Sequence, residues 1–220
     1  MQFNLRQLEI PPGQRLIMHG LDWEAFEHAL DELGEKRGSR VHYQNGILEI
    51  MSPLLLHESD KNIIGDLIQA LLEELDREFL NAGSTTFRSR RAGKGLEPDQ
   101  CFYIEHERVI RGKTSVELDD NDPPPDLAVE VDITSKTDPA LYAALGVPEL
   151  WRFDGETLYI DLLQPNGCYI ASEESRQFPY FPLREAIPRY LKQSKIDGRN
   201  ATLRAFREWV RMVSPAVRAD

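Results

Sequence analysis

Cysteine is scarce in this chain: 220 residues contain only Cys101 and Cys168, and neither belongs to a CxxC or CxxH pair. That excludes a zinc ribbon and a disulfide scaffold, and it points to a reducing compartment in which each cysteine is a buried thiol. Long hydrophobic runs are also lacking. Nothing approaches the roughly 20 apolar residues a membrane span needs, and the start, MQFNLRQLEIPPGQ, has neither a basic n-region nor an apolar h-region. The expectation is a cytoplasmic protein without a membrane partner. No GxSxG, no Walker loop and no GxGxxG after a strand is present, so the nucleophile-elbow, P-loop and dinucleotide-binding classes have no support. Positive charge is in short supply too. Lys and Arg number 26 against 37 Asp and Glu, a net charge of −11, whereas a protein that lives on nucleic acid is usually basic. The charge is uneven, however. Residues 184–220 hold nine Lys or Arg against four Asp or Glu, and Arg88, Arg90, Arg91 and Lys94 crowd one short stretch. Local patches make phosphate contacts, so the balance weakens the nucleic-acid reading without removing it.

What is present suffices for a sizeable core. With 41% hydrophobic residues the chain reads as a single domain over 1–220 that needs no structural metal to fold. Residues 22–36 carry Trp23, Phe26, Ala29, Leu30 and Leu33 at helical spacing, with Asp22 as N-cap. RVHYQ and ILEIMS flank Asn45-Gly46, a strong hairpin signal because a type I′ turn needs positive φ at both central positions. From His57 to Phe79 the sequence predicts a long amphipathic helix. STTFRSR, DQCFYIE and DLAVEVDIT read as strands, the last with strong β character. Residues 138–145 predict a short helix stopped by Gly146. ELWRFD and ETLYIDLL form a second hairpin at Gly155, and helices follow near 182–193 and 201–213. The fold class is α/β: a mixed β-sheet flanked by helices, with an N-terminal helix and hairpin and C-terminal helices.

The chemistry concentrates on two strands. In DLAVEVDIT, Leu127, Val129, Val131 and Ile133 point one way, while Asp126, Ala128, Glu130 and Asp132 point the other. Unpartnered buried carboxylates are expensive, so such acids are paired, solvated or bound to metal. A half-exposed strand with a solvated acidic face explains the pattern equally well on its own. The segment Glu97–Ile104 shifts the balance: Phe102 and Ile104 read as core, which puts Asp99, Cys101 and Tyr103 on the opposite face. If this strand pairs with 126–134, Asp99 lies beside Glu130. Two hard carboxylates at the end of a sheet suit Mg²⁺, and such an ion polarises a phosphodiester and lowers the pKa of an attacking water. Lys136, at the mouth of the next helix, could add positive charge. Glu49 alternates with Leu48 and Ile50 and could face the same cleft. His57, beside Glu58 at a helix start, reads as an orienting group or an ordinary surface histidine. The Arg88–Lys94 run either tracks a phosphate backbone or is solvated loop. Trp151, Tyr142 and Val147 read as core.

These residues resemble the PD-(D/E)XK nuclease superfamily, and more closely its Uma-type branch. The similar segments are ILEIMSPLLLHE (47–58), STTFRSRRAGKGLEPDQCFYIE (84–105), PPDLAVEVDITSKT (124–137) and YAALGVPELWRFDG (142–155). Together they span roughly residues 15–165 in order, followed by a helical extension near 180–215. The resemblance implies a restriction-endonuclease-like core and a divalent-metal site, with Asp99 and Glu130 as ligands. Support would come from Glu49 or from the helix carrying His57 and Glu58. One departure stands out: the superfamily lysine two residues after the Glu is absent, Asp132 stands there, and Lys136 is the lysine available. The expected function is a DNA endonuclease using Mg²⁺ or Mn²⁺, with Asp99, Glu130 and Lys136 catalytic, Glu49, Asp132 and His57 supporting, and homodimerisation open. The rivals are a catalytically inactive binding or regulatory protein on the same fold, and a metal-free interaction scaffold.

Overall fold

The computed structural model describes residues 5–34, 38–133, 136 and 138–214. The end of the first predicted helix at 35–36, the residues flanking Lys136 at 134, 135 and 137, and the last residue of the predicted extension lie outside them. In chain order the elements are β1 (Arg15–His19), α1 (Trp23–Leu33), β2 (Arg40–Gln44), β3 (Ile47–Met51), α2 (Leu55–Glu74), β4 (Leu80–Asn81), β5 (Phe87–Ser89), β6 (Lys94–Leu96), β7 (Gln100–Tyr103), α3 (Glu107–Ile110), β8 (Leu127–Val131), α4 (Pro139–Ala144), β9 (Glu149–Phe153), β10 (Leu158–Leu163), β11 (Tyr169–Ser172), α5 (Leu183–Asp197) and α6 (Arg199–Val213). The mixed α/β architecture with flanking helices is the one expected. Its strands, however, divide between two sheets, ordered β1-β3-β2-β6-β5 and β11-β10-β9-β8-β7-β4.

The smaller sheet is antiparallel and grows from the β2–β3 hairpin, whose turn residues Asn45 and Gly46 have φ of 51° and 77°. One face is covered by α1: Phe26, Ala29 and Leu30 pack on Val41, Tyr43, Leu48 and Ile50. Asp22 caps that helix by accepting the Ala25 amide at 2.8 Å. Gly95 on β6 is required by this packing, because a Cβ there would run into the Phe26 ring. The lead-in to α1 contains a strand that the sequence pattern did not reveal: β1 completes the sheet against β3.

The larger sheet is mixed, with β8 and β9 parallel and its other pairs antiparallel. Leu127, Val129 and Val131 point into a core formed with α2, α5 and α6, contributed by Ile64, Leu67, Leu71, Ile187, Phe206 and Val210 among others. Ala128 points the other way, into a second core with Cys101, Tyr103, Leu141, Tyr142 and Leu150. Every residue of β8 is therefore buried, and a solvated acidic face is not available to it. The C-terminal helices help to close the main core. The long helix stops at Glu74, short of Phe79, because Asp76 turns left-handed (φ 51°) and the Arg77 amide bonds back to the Leu72 carbonyl at 3.0 Å. Cys101 is buried as expected; Cys168 is exposed, because it lies in the Gln164–Cys168 turn between β10 and β11.

Candidate active site

β6 and β7 are consecutive strands in different sheets, joined only by Glu97, Pro98 and Asp99. The chain crosses between sheets at this seam, and it is pinned on both sides. Glu97 accepts the Val41 amide at 3.1 Å and the Thr86 hydroxyl at 2.6 Å, and Arg40 donates to the Pro98 carbonyl at 3.1 Å. Asp99 thus enters the larger sheet at the head of β7. The β7–β8 register (Gln100 with Val129, Cys101 with Ala128), continued by one residue, sets Asp99 opposite Glu130. The sequence-based pairing of these strands is what the structure contains.

Both carboxylates are buried, in opposite electrostatic circumstances. One Asp99 oxygen accepts from His57 Nε2 and from the Val131 amide, each at 2.9 Å, and the other lies 3.5 Å from the Arg40 guanidinium. Burial would push its carboxyl up, but the His57 bond and charge, Arg40 and the Val131 amide together hold it below the ordinary aspartate value. Among the described residues, the donor on Glu130 is a neutral one, the Tyr142 hydroxyl. Burial first, and the Asp99 charge second, push Glu130 well above the ordinary glutamate value, and Tyr142 offsets them only in part. The Tyr142 hydroxyl is itself pushed up by burial and by that carboxyl.

Glu130 opens on a cavity of about 200 Å³ whose wall also includes Arg40, His42, Glu49, His57 and Asp132. Glu49 and His42 are cross-strand partners on the hairpin, and Glu49 also meets Arg15 at 3.3 Å. His42 is pushed down by burial, against the pull of Glu49 and Asp99. Asp132 is half-buried just beyond β8, its amide on the Phe153 carbonyl at 2.7 Å. Lys136 is exposed yet lines this cavity with Glu130. Asp99 lies behind His57 and Arg40 and is not part of the lining.

His57 is not a surface residue: it is 2% exposed, between Asp99 and Glu58, with its Nδ1 3.6 Å from a Glu58 oxygen. The Arg88–Lys94 run is largely tied to acids of its own chain: Arg90 to Glu24 at 2.8 Å and Glu27 at 3.0 Å, and Arg91 through its side chain and amide to Asp119. Two residues of the site were not singled out from sequence. Arg40 and His42 share one face of β2, alternating with the core residues Val41 and Tyr43. The period-2 signal in RVHYQ predicts a strand but does not say what its second face meets.

The arrangement sets two buried carboxylates beside one another at a sheet junction. Residues 23–193 match the Uma2 family, described as "Putative restriction endonuclease". The chain belongs to that family. A solved structure described as a putative nuclease belonging to DUF820 from Anabaena variabilis is similar at 13% identity with a TM-score of 0.46, covering 77% of this chain and 90% of that one. No curated protein matches the chain.

Proposed function

We propose that this chain is a divalent-metal-dependent endonuclease that hydrolyses phosphodiester bonds in DNA, with Asp99 and Glu130 holding Mg²⁺ or Mn²⁺. The observation that carries the reading is the juxtaposition of the two carboxylates on paired strands, with Glu130 facing a cavity. Among the described residues no three His, Cys, Asp or Glu side chains converge closely enough to cage an ion. The donor chemistry nevertheless fits a hard cation. Two oxygen donors lie side by side, and Glu130 resists ionisation because its burial and the Asp99 charge outweigh the Tyr142 hydroxyl and the Arg40 charge. Mg²⁺ commonly takes one or two carboxylates and completes its shell with water and phosphate. When bound, the ion would supply Lewis acidity and a water of lowered pKa.

The chain's own residues would do the rest. His57 and the Val131 amide orient Asp99. Tyr142 holds one Glu130 oxygen and leaves the carboxyl turned to the cavity. Glu49 and Asp132 extend the acidic wall, and Lys136 at the mouth would place a cation near the leaving group. No helix among the described residues is long and apolar enough to cross a membrane.

Incubating the protein with supercoiled plasmid in Mg²⁺ and in Mn²⁺ tests the reading. Nicking or linearisation by the parent, and its loss in Glu130→Gln, is the expected result. The inactive-relative reading draws on Asp132 in the usual lysine position, and DNA left intact in both metals would establish it instead.

A further inference from the structure

We propose that Arg40, held at the seam between the two sheets, contacts the substrate phosphate. The inference rests on the nuclease reading of the same site. Arg40 is the first residue of β2, and its side chain is 8% exposed. One guanidinium nitrogen is anchored on the Pro98 carbonyl at 3.1 Å. The other stands 3.5 Å from Asp99 and 3.6 Å from Glu58. Both distances exceed those of charge-assisted hydrogen bonds, about 2.7–2.9 Å. The Glu58 oxygen it faces is buried and has no hydrogen-bond partner. One arm of the fork is therefore fixed, while the other is held between two carboxylates by charge alone.

Its location gives that arm a use. Beside the small cavity lies a larger groove of about 870 Å³ that includes Ser39, Ser84, Ser115, Lys61 and Arg88 in its wall. Among the described residues, Arg40 is the only one common to both walls. A strand lying in the groove would meet this guanidinium before reaching Glu130. Arginine stays charged when desolvated, and its planar fork matches two oxygens of one phosphate. The groove wall also carries Asp31, Glu58, Glu97 and Glu117, and Lys61 is already on Glu58 at 2.7 Å, so the phosphate contact falls to Arg40 rather than to the groove's other cations. The ligand class is thus a phosphodiester strand, and Glu58 is the carboxylate it must displace from Arg40.

The test is fluorescence anisotropy with a labelled DNA duplex in Ca²⁺, titrated over a range of salt with the full-length chain. Arg40→Gln should weaken binding by about 10-fold or more and reduce the slope of log K against log[salt] by about 0.9, the signature of one lost phosphate contact. Arg40→Lys should keep the slope while losing affinity. Should Arg40→Gln melt below the assay temperature, Glu58→Gln serves in its place: releasing the arm should tighten binding. An unchanged affinity and slope in Arg40→Gln, no tightening in Glu58→Gln, or a parent that binds no DNA would each overturn the inference. A parent that binds through Arg40 but never cuts would overturn the enzyme reading and leave the contact standing.

Discussion

Replacing Asp99 and Glu130 by their amides should move stability in opposite directions, although both substitutions should abolish Mn²⁺ binding by calorimetry. Asp99→Asn removes the charge that faces Arg40 and His57 in a site 3% exposed. Taking one partner from a buried pair costs about 3–5 kcal/mol. The lower end applies here, because Arg40 keeps the Pro98 carbonyl and Asn can still accept the Val131 amide. In a chain of this size about 3 kcal/mol lowers the melting temperature by roughly 6–12 °C. Glu130→Gln keeps an acceptor for Tyr142 and removes a carboxyl that resists ionisation, so at neutral pH it should melt at or above the parent. The pH dependence separates them further. Asp99 is depressed in the folded state, so its contribution is present above the ordinary aspartate value and is lost as pH falls through the folded value. Glu130 is raised, so its contribution is complete below the ordinary glutamate value and is lost as pH rises through the folded one. The parent's margin over Asp99→Asn should close in acid, and Glu130→Gln should gain on the parent toward alkaline pH. Thermal melts across that range check both. Equal losses in the two variants, or an Asp99→Asn that melts like the parent, would refute the assignment of opposite environments.

Tyr142→Phe strips the buried Glu130 carboxyl of its hydroxyl donor and should cost about 1–3 kcal/mol in urea unfolding; an unchanged midpoint would show that the contact carries no energy. Phe206 is fully buried, with its ring 5.0 Å from Tyr190 and 5.3 Å from Trp209. Phe206→Ala should cost about 3–5 kcal/mol, and a smaller loss would mean that α6 is not integral to the core. With an aromatic disulfide reagent, Cys168 should react in the native protein and Cys101 only after unfolding, since Cys101 is buried and its thiol is pushed up by that burial. Rapid native labelling of Cys101 would contradict the packing of β7.

The parts of the site that follow from strand alternation were legible in the sequence. Phe102 and Ile104 on one face, with Cys101 and Tyr103 on the other, fixed which way β7 sits, and β8 pairs with it as its own pattern requires. Asp126, Glu130 and Asp132 looked alike as three acids of one parity, yet their settings differ. Asp126 is held by the Ile104 and His106 amides at 2.7 Å and 3.0 Å and by the His106 ring. Glu130 faces the cavity, and Asp132 lies beyond the strand end. Periodicity assigns a face, but hydrogen-bond partners come from distant segments that it does not contain. The same limit hid Arg40 and His42. Their parity was visible, but only the crossing of the chain between sheets at residues 97–99 turns that face of the hairpin toward β8. His57 belongs to the same class: its helix was predictable, while its burial depends on Asp99 arriving from 42 positions away.

The charge distribution acquires its meaning from pairing. The basic C-terminal helices, which offered a candidate phosphate surface in sequence, lie against the acidic side of α2: Lys195 on Asp60 at 2.9 Å, Arg199 on Asp66 at 2.5 Å and 2.8 Å, and Arg207 and Arg211 together on Glu74. Together with Arg90 and Arg91 these cations already face anions of their own chain. An arginine in that condition exchanges one anion for another when DNA arrives and gains little from the exchange. Arg40 differs in one respect. Its carboxylate neighbours are too distant to bond it well, and one of them, Asp99, is a proposed ligand whose charge a divalent ion would take up. Loading the metal would then weaken the hold on Arg40 at the same place where it creates a need for phosphate. In a chain of net charge −11, the proposed coupling would make affinity for DNA conditional on the ion, because the carboxylates at the seam would otherwise offset the Arg40 charge.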